Sequence, residues 1–161
     1  MSHLATSQDL SRPLILGSTS AYRRELLARL RLPFEVAAPQ VDETPAPGEQ
    51  PAALARRLAL AKAREVAQRH PRALVIGSDQ VADLAGSPLG KPGTHERAIA
   101  QLRRMSGHTV LFHTAVALVC AETGFEQGEM ATVNVRFRTL ADEEIERYLH
   151  AEQPYDCAGS A

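Results

Sequence analysis

Two short apolar segments, each ending in glycine, constrain the fold more than any other feature of this sequence. Leu14–Gly17 and Leu74–Gly77 have the length and composition of buried strands. Small polar residues follow each segment, and Ser18–Ser20 can cap a helix that begins directly after the first strand. Strands of this kind that alternate with helices favour an α/β fold.

Four helical segments are predicted around these strands. The first carries Leu26, Leu27 and Leu30 on one apolar face and ends near Pro33. The others run from Pro51 to about Arg69, from the candidate cap Thr94 to just before Gly107, and from about Asp142 to His150.

Further strands are predicted at Phe34–Val41, Thr109–Val119 and Thr132–Arg138, and Gly86-Ser87-Pro88 indicates a turn. The later strands are long and hairpin-like. We therefore expect a mixed, twisted sheet with flanking helices.

Composition limits the possible functions. At 161 residues the chain has the length of one domain, and its formal net charge of -1 gives no positive field for a nucleic-acid backbone. No segment is apolar enough to span a membrane. Two cysteines without metal spacing predict a reduced, soluble, cytoplasmic protein, and the six histidines show no zinc-type spacing.

The two ends of the sequence differ in character from its middle. Residues 1–12 are polar and predict a disordered leader, which leaves residues 13–161 as the domain. The last five residues, 157–161, are small and contain no closing element, so we expect a C-terminal part of the domain to be missing.

The segment Ser18–Arg24 is the first candidate site. A strand, a small-residue turn and a helix N-terminus together offer backbone amides to an anion, and Arg23 and Arg24 add guanidinium donors for phosphate oxygens. The alternative is a capped helix with two solvated arginines. The segment lacks the glycines and the lysine of a Walker loop.

Asp79 and Lys62 are the next candidates. Asp79 follows the second buried strand, at the carboxyl end where open α/β sheets place ligand sites, and could bind a metal or activate water. A turn aspartate that bonds its own backbone is the alternative. Lys62 lies in an apolar helical row, so it either extends to water or reaches an anion beside the sheet.

Two loop residues complete the set. Lys91 lies between Gly90 and Pro92, which suits a charge held in place, although most loop lysines are only solvated. Glu43 could supply a second carboxylate to a metal, or belong to a solvated acidic loop. A triphosphate with a divalent metal requires such a combination of cations and carboxylates.

Five motifs in order and spacing resemble the Maf family of nucleoside triphosphate pyrophosphatases. They are Ser-x-Ser-x-x-Arg-Arg-x-Leu-Leu at 18–27, Val-Asp-Glu-Thr-Pro at 41–45, Leu-Ala-Lys-Ala at 60–63, Gly-Ser-Asp-Gln at 77–80 and Gly-Lys-Pro at 90–92. The resemblance covers nearly the whole chain from Leu14. Ala21 stands where the family usually has proline.

The resemblance implies a two-lobed architecture, similar to that of inosine triphosphatases, with a cleft between the lobes, and often a homodimer. It implies metal-dependent hydrolysis, with Mg or Mn, of a nucleoside triphosphate between its α- and β-phosphates. It further implies that Asp79 is the catalytic residue that activates water and, with Glu43, faces the metal. The phosphate-binding residues would be Ser18, Arg23, Lys62 and Lys91.

Three features are similar to the branch of the family that acts on 7-methyl-GTP: Tyr22, Gln80 and Cys157–Ser160. An aromatic ring can stack on the cationic methylated guanine, and a glutamine can both donate to and accept from a base edge. Tyr22 could also serve ordinary packing.

The resemblance predicts an enzyme that cleans unwanted nucleotides from the pool. The alternative function is a catalytically impaired nucleotide-binding or cell-division regulatory remnant, which the short sequence suggests. An unrelated dinucleotide-binding domain is disfavoured because only Gly17 follows the first strand.

Overall fold

The structure, a computed structural model that describes residues 12–161, contains a mixed sheet of six strands. Five strands lie in the order β2-β1-β3-β5-β6, and β4 pairs with β3. β1 is parallel to both β2 and β3, whereas β3 and β4 are antiparallel. The predicted mixed α/β sheet is therefore confirmed. The predicted leader, residues 1–12, lies outside the described residues except for Arg12, whose guanidinium donates to Glu122.

The strands differ greatly in length. Their bounds are β1 Leu14–Gly17, β2 Glu35–Val36, β3 Leu74–Leu84, β4 Ser87–Leu89, β5 Thr109–Cys120 and β6 Phe125–Arg136.

The helices are α1 Ala21–Ala28, α2 Pro51–Arg69, α3 His95–Met105 and α4 Asp142–Glu152, and a single 3₁₀ turn covers Ala158–Ser160. The predicted caps are correct: the hydroxyls of Ser20 and Thr94 accept from the amides of Arg23 and Arg97, three residues on. Gly107 has the predicted left-handed conformation, with φ of 72°. Among residues 12–161 no helix is both long and apolar enough to cross a membrane.

The chain divides into two compact units. The first consists of the described residues up to Thr44, Arg56–Asp79 and Ala115–Glu129. Its core contains the small side chains Ala59, Ala63 and Ala67 of α2 and apolar residues of β1 and β3, and Ala59 and Ala63 lie against Gly77 of β3. The four residues of β1 pair in register with Leu74–Gly77, so the Gly17–Gly77 pair ends this ladder.

The second unit consists of Pro45–Ala55, Gln80–Thr114 and Met130–Ala161. Its core joins α3 and α4 through Leu102, Met105, Ile145 and Leu149. The 3₁₀ turn is also buried there, and Gly159, with φ of 67°, fits because a methyl group would lie 2.9 Å from the Cβ of Ala82. Cys120 of the first unit and Cys157 of the second form no disulfide.

Two predictions near the N-terminus are wrong. α1 buries none of its residues, and Leu26 and Leu30 are 57 % and 64 % exposed, so the predicted apolar face does not pack into the described core. The helix ends at Ala28, and tight turns lead to Arg31 at φ 56°. The strand predicted at Phe34–Val41 is only two residues long. Its partner β1 is short, and Pro39 has no amide hydrogen to extend the ladder.

The placement of Asp79 at the end of a strand is also wrong. β3 continues through Asp79 to Leu84, and the turn that follows is Ala85-Gly86, with Ser87–Leu89 forming β4 rather than the predicted turn. Asp79 nevertheless lies beyond the Gly17–Gly77 pair, where β1 has ended. The position of Asp79 at an end of the sheet is therefore determined by the short strand β1 and not by the end of β3.

Replacement of Gly77 tests the closest approach of α2 to the sheet. A methyl group on Gly77 would overlap the carbonyl oxygen of Ala59 and lie 2.7 Å from the amide nitrogen of Ala63. We expect Gly77→Ala to lower the free energy of unfolding by about 3 kcal/mol, measured by urea denaturation. Gly90→Ala is the control, because no heavy atom lies within 4 Å of a methyl group there. Equal stabilities of the two variants would contradict the prediction.

Candidate active site

The close approach of α2 to β3 brings Lys62 to Asp79. Gly77 offers no side chain, and Ala59 and Ala63 offer small ones, so backbone meets backbone at this point. Lys62 lies one position before Ala63, and Asp79 lies two positions after Gly77. The two side chains therefore extend past the end of β1, where no neighbouring strand separates them.

Lys62 joins two carboxylates. Its ammonium donates to Oδ1 of Asp79 at 2.9 Å and lies 2.7 Å from Oε1 of Glu43. The side chains of Lys62 and Asp79 are each only 10 % exposed, whereas that of Glu43 is 56 % exposed. The sequence left two possibilities for Lys62, extension to water or contact with an anion. In the structure its ammonium contacts the carboxylates of Asp79 and Glu43.

Arg23 and Ser18 belong to the same unit as this pair. The guanidinium of Arg23 donates from Nη1 to Oγ of Ser18 at 3.4 Å, and the amide of Ser20 donates to the same oxygen at 3.1 Å. Ser18 is buried and Arg23 is half-buried, whereas Arg24 is exposed. The two donors converge on one oxygen at the N-terminus of α1.

Burial and charge act on this cluster in opposite directions. Burial raises the pKa of the Asp79 carboxyl, against the attraction of Lys62 and Arg23. Burial also lowers the pKa of the Arg23 guanidinium, against the attraction of Asp79 and Glu43. The arginine therefore lies in the electrostatic field of both carboxylates. The four charged groups act as one site.

In the loop before α2, two neighbouring acidic residues form different contacts. Asp42 accepts from the amide of Thr44 at 2.9 Å, and this hydrogen bonding lowers the pKa of Asp42. The carbonyl of Thr44 accepts from Arg57 at 3.2 Å. These bonds fix the loop on both sides of Glu43, so that its carboxylate is directed to Lys62. Glu43 is exposed, as the alternative of a solvated acidic loop expects, but its carboxylate also pairs with Lys62.

This arrangement agrees with the family comparison. The family model of the Maf-like proteins matches residues 13–161, which is nearly the whole chain. The chain belongs to the Maf family. The motifs that carry the predicted resemblance contain all five residues of the cluster: Ser18, Arg23, Glu43, Lys62 and Asp79.

Three curated relatives of this Maf protein have the same name. A 7-methyl-GTP pyrophosphatase of Polaromonas sp. (strain JS666 / ATCC BAA-500) is 74 % identical over 151 residues, which are 94 % of this chain and 69 % of the relative. A 7-methyl-GTP pyrophosphatase of Albidiferax ferrireducens is 65 % identical, over 96 % of this chain and 78 % of the relative. A 7-methyl-GTP pyrophosphatase of Ralstonia nicotianae is 60 % identical, over 92 % of this chain and 77 % of the relative.

Three other predicted site residues of the Maf domain are exposed. Tyr22 is on α1 with its side chain 59 % exposed. Lys91 is exposed in the loop between β4 and α3. Gln80 is exposed on β3 and donates to Oγ1 of Thr114 at 2.9 Å. The roles assigned to these three residues stay predictions.

Two supporting residues of this Maf protein had no direct sign in the sequence. Ala63 belongs to a motif only as a neighbour of Lys62, yet its small side chain permits the approach of α2 to Gly77. Arg57 holds the carbonyl of Thr44 across a separation of thirteen residues. A row of alanines at four-residue spacing on one helix was the available signal for the first.

Removal of the Lys62 ammonium should reveal how strongly it stabilises Asp79. We expect Lys62→Met to lower the free energy of unfolding by about 3 kcal/mol, because a buried carboxylate loses its closest cation. The same substitution should cost clearly less in an Asp79→Asn background, since no buried charge is then stranded. Urea denaturation of the four proteins gives the coupling energy. A coupling energy near zero would show that the pair does not contribute to stability.

Proposed function

We propose that this Maf protein hydrolyses 7-methyl-GTP to 7-methyl-GMP and pyrophosphate. The single observation that carries the proposal is the cluster of Ser18, Arg23, Glu43, Lys62 and Asp79 in one unit, with Lys62 shared between two carboxylates. Such a cluster supplies cations for phosphate oxygens and a carboxylate for water, the parts that anhydride hydrolysis requires.

The relatives confirm the prediction of an enzyme of the nucleoside triphosphate pyrophosphatase class, hydrolases acting on acid anhydrides. Identities of 60 % to 74 % over more than nine-tenths of this chain support the transfer of that class. The identity of the base and the cellular role, removal of a modified nucleotide from the cytoplasmic pool, belong to the proposal.

Asp79 acts as the general base. Its carboxylate takes a proton from a water molecule, whose oxygen attacks a phosphorus atom beside the α–β bridging oxygen, and the bond to that bridging oxygen breaks. The bridging oxygen leaves with one of the two products. Burial strengthens Asp79 as a base, while the ammonium of Lys62 at 2.9 Å favours its ionised form.

Arg23, Ser18 and Lys62 bind the phosphates. A phosphate oxygen beside Ser18 would meet the guanidinium of Arg23 and the amide of Ser20, the two donors that converge on the Ser18 hydroxyl. The positive end of the α1 dipole adds to this attraction. Lys91 is assigned to the same task on the family motif alone.

A divalent cation fits the donor set. The charges of Arg23 and Lys62 are matched by those of Asp79 and Glu43, so the cluster has no excess positive charge for a triphosphate. Carboxylate oxygens are the ligands that Mg²⁺ and Mn²⁺ prefer. Held by Asp79 and Glu43, the ion would offset phosphate charge.

Tyr22 and Gln80 are the proposed determinants of the base. The exposed ring of Tyr22 can stack on a guanine that N7-methylation has made cationic. Gln80 keeps hydrogen-bonding capacity beyond its bond to Thr114, since its amide has a second donor hydrogen and an acceptor oxygen.

Asp79→Asn tests the mechanism. With 7-methyl-GTP and Mg²⁺ or Mn²⁺, we expect pyrophosphate release to fall by at least ~100-fold, because an amide cannot take a proton from water. Asp156→Asn is the matched control, since that carboxylate is exposed and lies outside the cluster. Release by Asp79→Asn at the rate of the unchanged protein, with an intact circular dichroism spectrum, would remove the basis of the mechanism.

Tyr22→Ala tests the base specificity separately. We expect kcat/KM for 7-methyl-GTP to fall by roughly 2- to 30-fold, which corresponds to a cation–π contribution of about 0.5–2 kcal/mol. The value for GTP should change less because its base is neutral. Tyr22→Phe retains the ring and should retain most of the preference. Equal losses for the two nucleotides in Tyr22→Ala would refute stacking on a cationic base.

A further inference from the structure

The second unit contains a group of three potential metal ligands that the sequence did not indicate. His95 begins α3, and Glu146 and His150 lie one turn apart on α4. One ligand atom from each residue lies within 4.8 Å of the other two. The histidines show no zinc-type spacing in the sequence, yet the fold groups two of them with a glutamate. The sequence feature that could have revealed part of the group is the Glu146–His150 spacing of four residues, which places both side chains on one face of a helix.

The distances between these ligand atoms suit a zinc ion. Oε2 of Glu146 is 2.8 Å from Nε2 of His95 and 3.5 Å from Nε2 of His150. In a tetrahedral zinc site with bonds near 2 Å, neighbouring ligand atoms are about 3.3 Å apart. These two distances lie on both sides of that value, and all three ligand atoms lie within 4.8 Å of one another, which is compatible with one shared ion.

Tyr155 can hold His95 in the tautomer that a metal requires. Its hydroxyl is 2.7 Å from Nδ1 of His95. With Nε2 bound to a metal, the ring proton lies on Nδ1 and donates to the Tyr155 oxygen, which accepts as readily as it donates. Such a partner on the second ring nitrogen is the usual companion of a histidine ligand. Tyr155 is itself held, because its carbonyl accepts from the amide of Gly93 at 3.0 Å.

The site is also open to an ion from solution. The side chains of His95, Glu146 and His150 are 28 %, 45 % and 75 % exposed. Three protein ligands with one open position, which water can fill, is a common zinc arrangement. Imidazole nitrogens select Zn²⁺ over the hard cations Mg²⁺ and Mn²⁺.

We propose that His95, Glu146 and His150 bind a Zn²⁺ ion that links α3 to α4, apart from any ion at Asp79. An ion held by both helices stabilises the folded state of the second unit, because the unfolded chain does not preform the site. The site is independent of the proposed hydrolytic function.

Calorimetric titration of the whole chain with Zn²⁺, in a buffer with excess Mg²⁺ that occupies carboxylate sites, tests the proposal. We expect His150→Gln to weaken Zn²⁺ binding by at least about 100-fold and Tyr155→Phe to weaken it by about 10-fold. His70→Gln, a substitution of an exposed histidine in the first unit, should bind as the unchanged protein does. His150 is mostly exposed, so its replacement should leave the fold intact.

The thermal midpoint provides a second measurement on the same proteins. Zn²⁺ should raise the Tm of the unchanged protein and of His70→Gln, and should not raise that of His150→Gln. Absence of Zn²⁺ binding by the unchanged protein would overturn the proposal. The contacts of Glu146 with His95 and His150 would then be side-chain interactions without a metal. Equal affinities of His150→Gln and the unchanged protein would overturn it too, since the ion would then be bound elsewhere.

Discussion

The pairing of Lys62 with Asp79 is the interaction on which the candidate site depends. Two opposite charges with little solvent exposure are costly to bury separately, and each is tolerated because the other is 2.9 Å away. The distance is short because α2 lies against the backbone of β3 at Gly77. A side chain at that position would separate the helix from the strand and leave both charges without their closest partner.

The composition of α2 follows from the same requirement. Ala59, Ala63 and Ala67 recur every four residues and are buried, so one face of the helix carries small side chains, two of which lie at Gly77 of β3. Leu58, Lys62 and Val66 form the adjacent buried row, so Lys62 occupies a position that packing alone would give to an apolar residue. A lysine is stable there only because its ammonium reaches Asp79 and Glu43.

Much of the fold could be predicted from the sequence because local signals were strong. α2 has the predicted bounds, since Pro51 suits the first position of a helix and Pro71 follows its end. β2, by contrast, was predicted too long, because pairing with the short β1 limits it and no local signal reports a partner's length. The continuation of β3 through Asp79 was missed for a similar reason: a polar Ser-Asp-Gln segment suggests a turn unless its neighbours are known.

The structure brings five of the residues chosen from the sequence into one unit, whatever the lengths of the strands that carry them. The resemblance to family motifs selects Ser18, Arg23, Glu43, Lys62 and Asp79 together. The geometry that unites the four charged residues of this set depends on the end of β1. His95 and the Glu146–His150 pair belong to no such motif, and they come together only when α3 packs on α4. Contacts between distant helices are set by tertiary packing, which periodicity in one segment cannot report. A group assembled in that way exists only in the folded structure, even when each helix is predicted correctly.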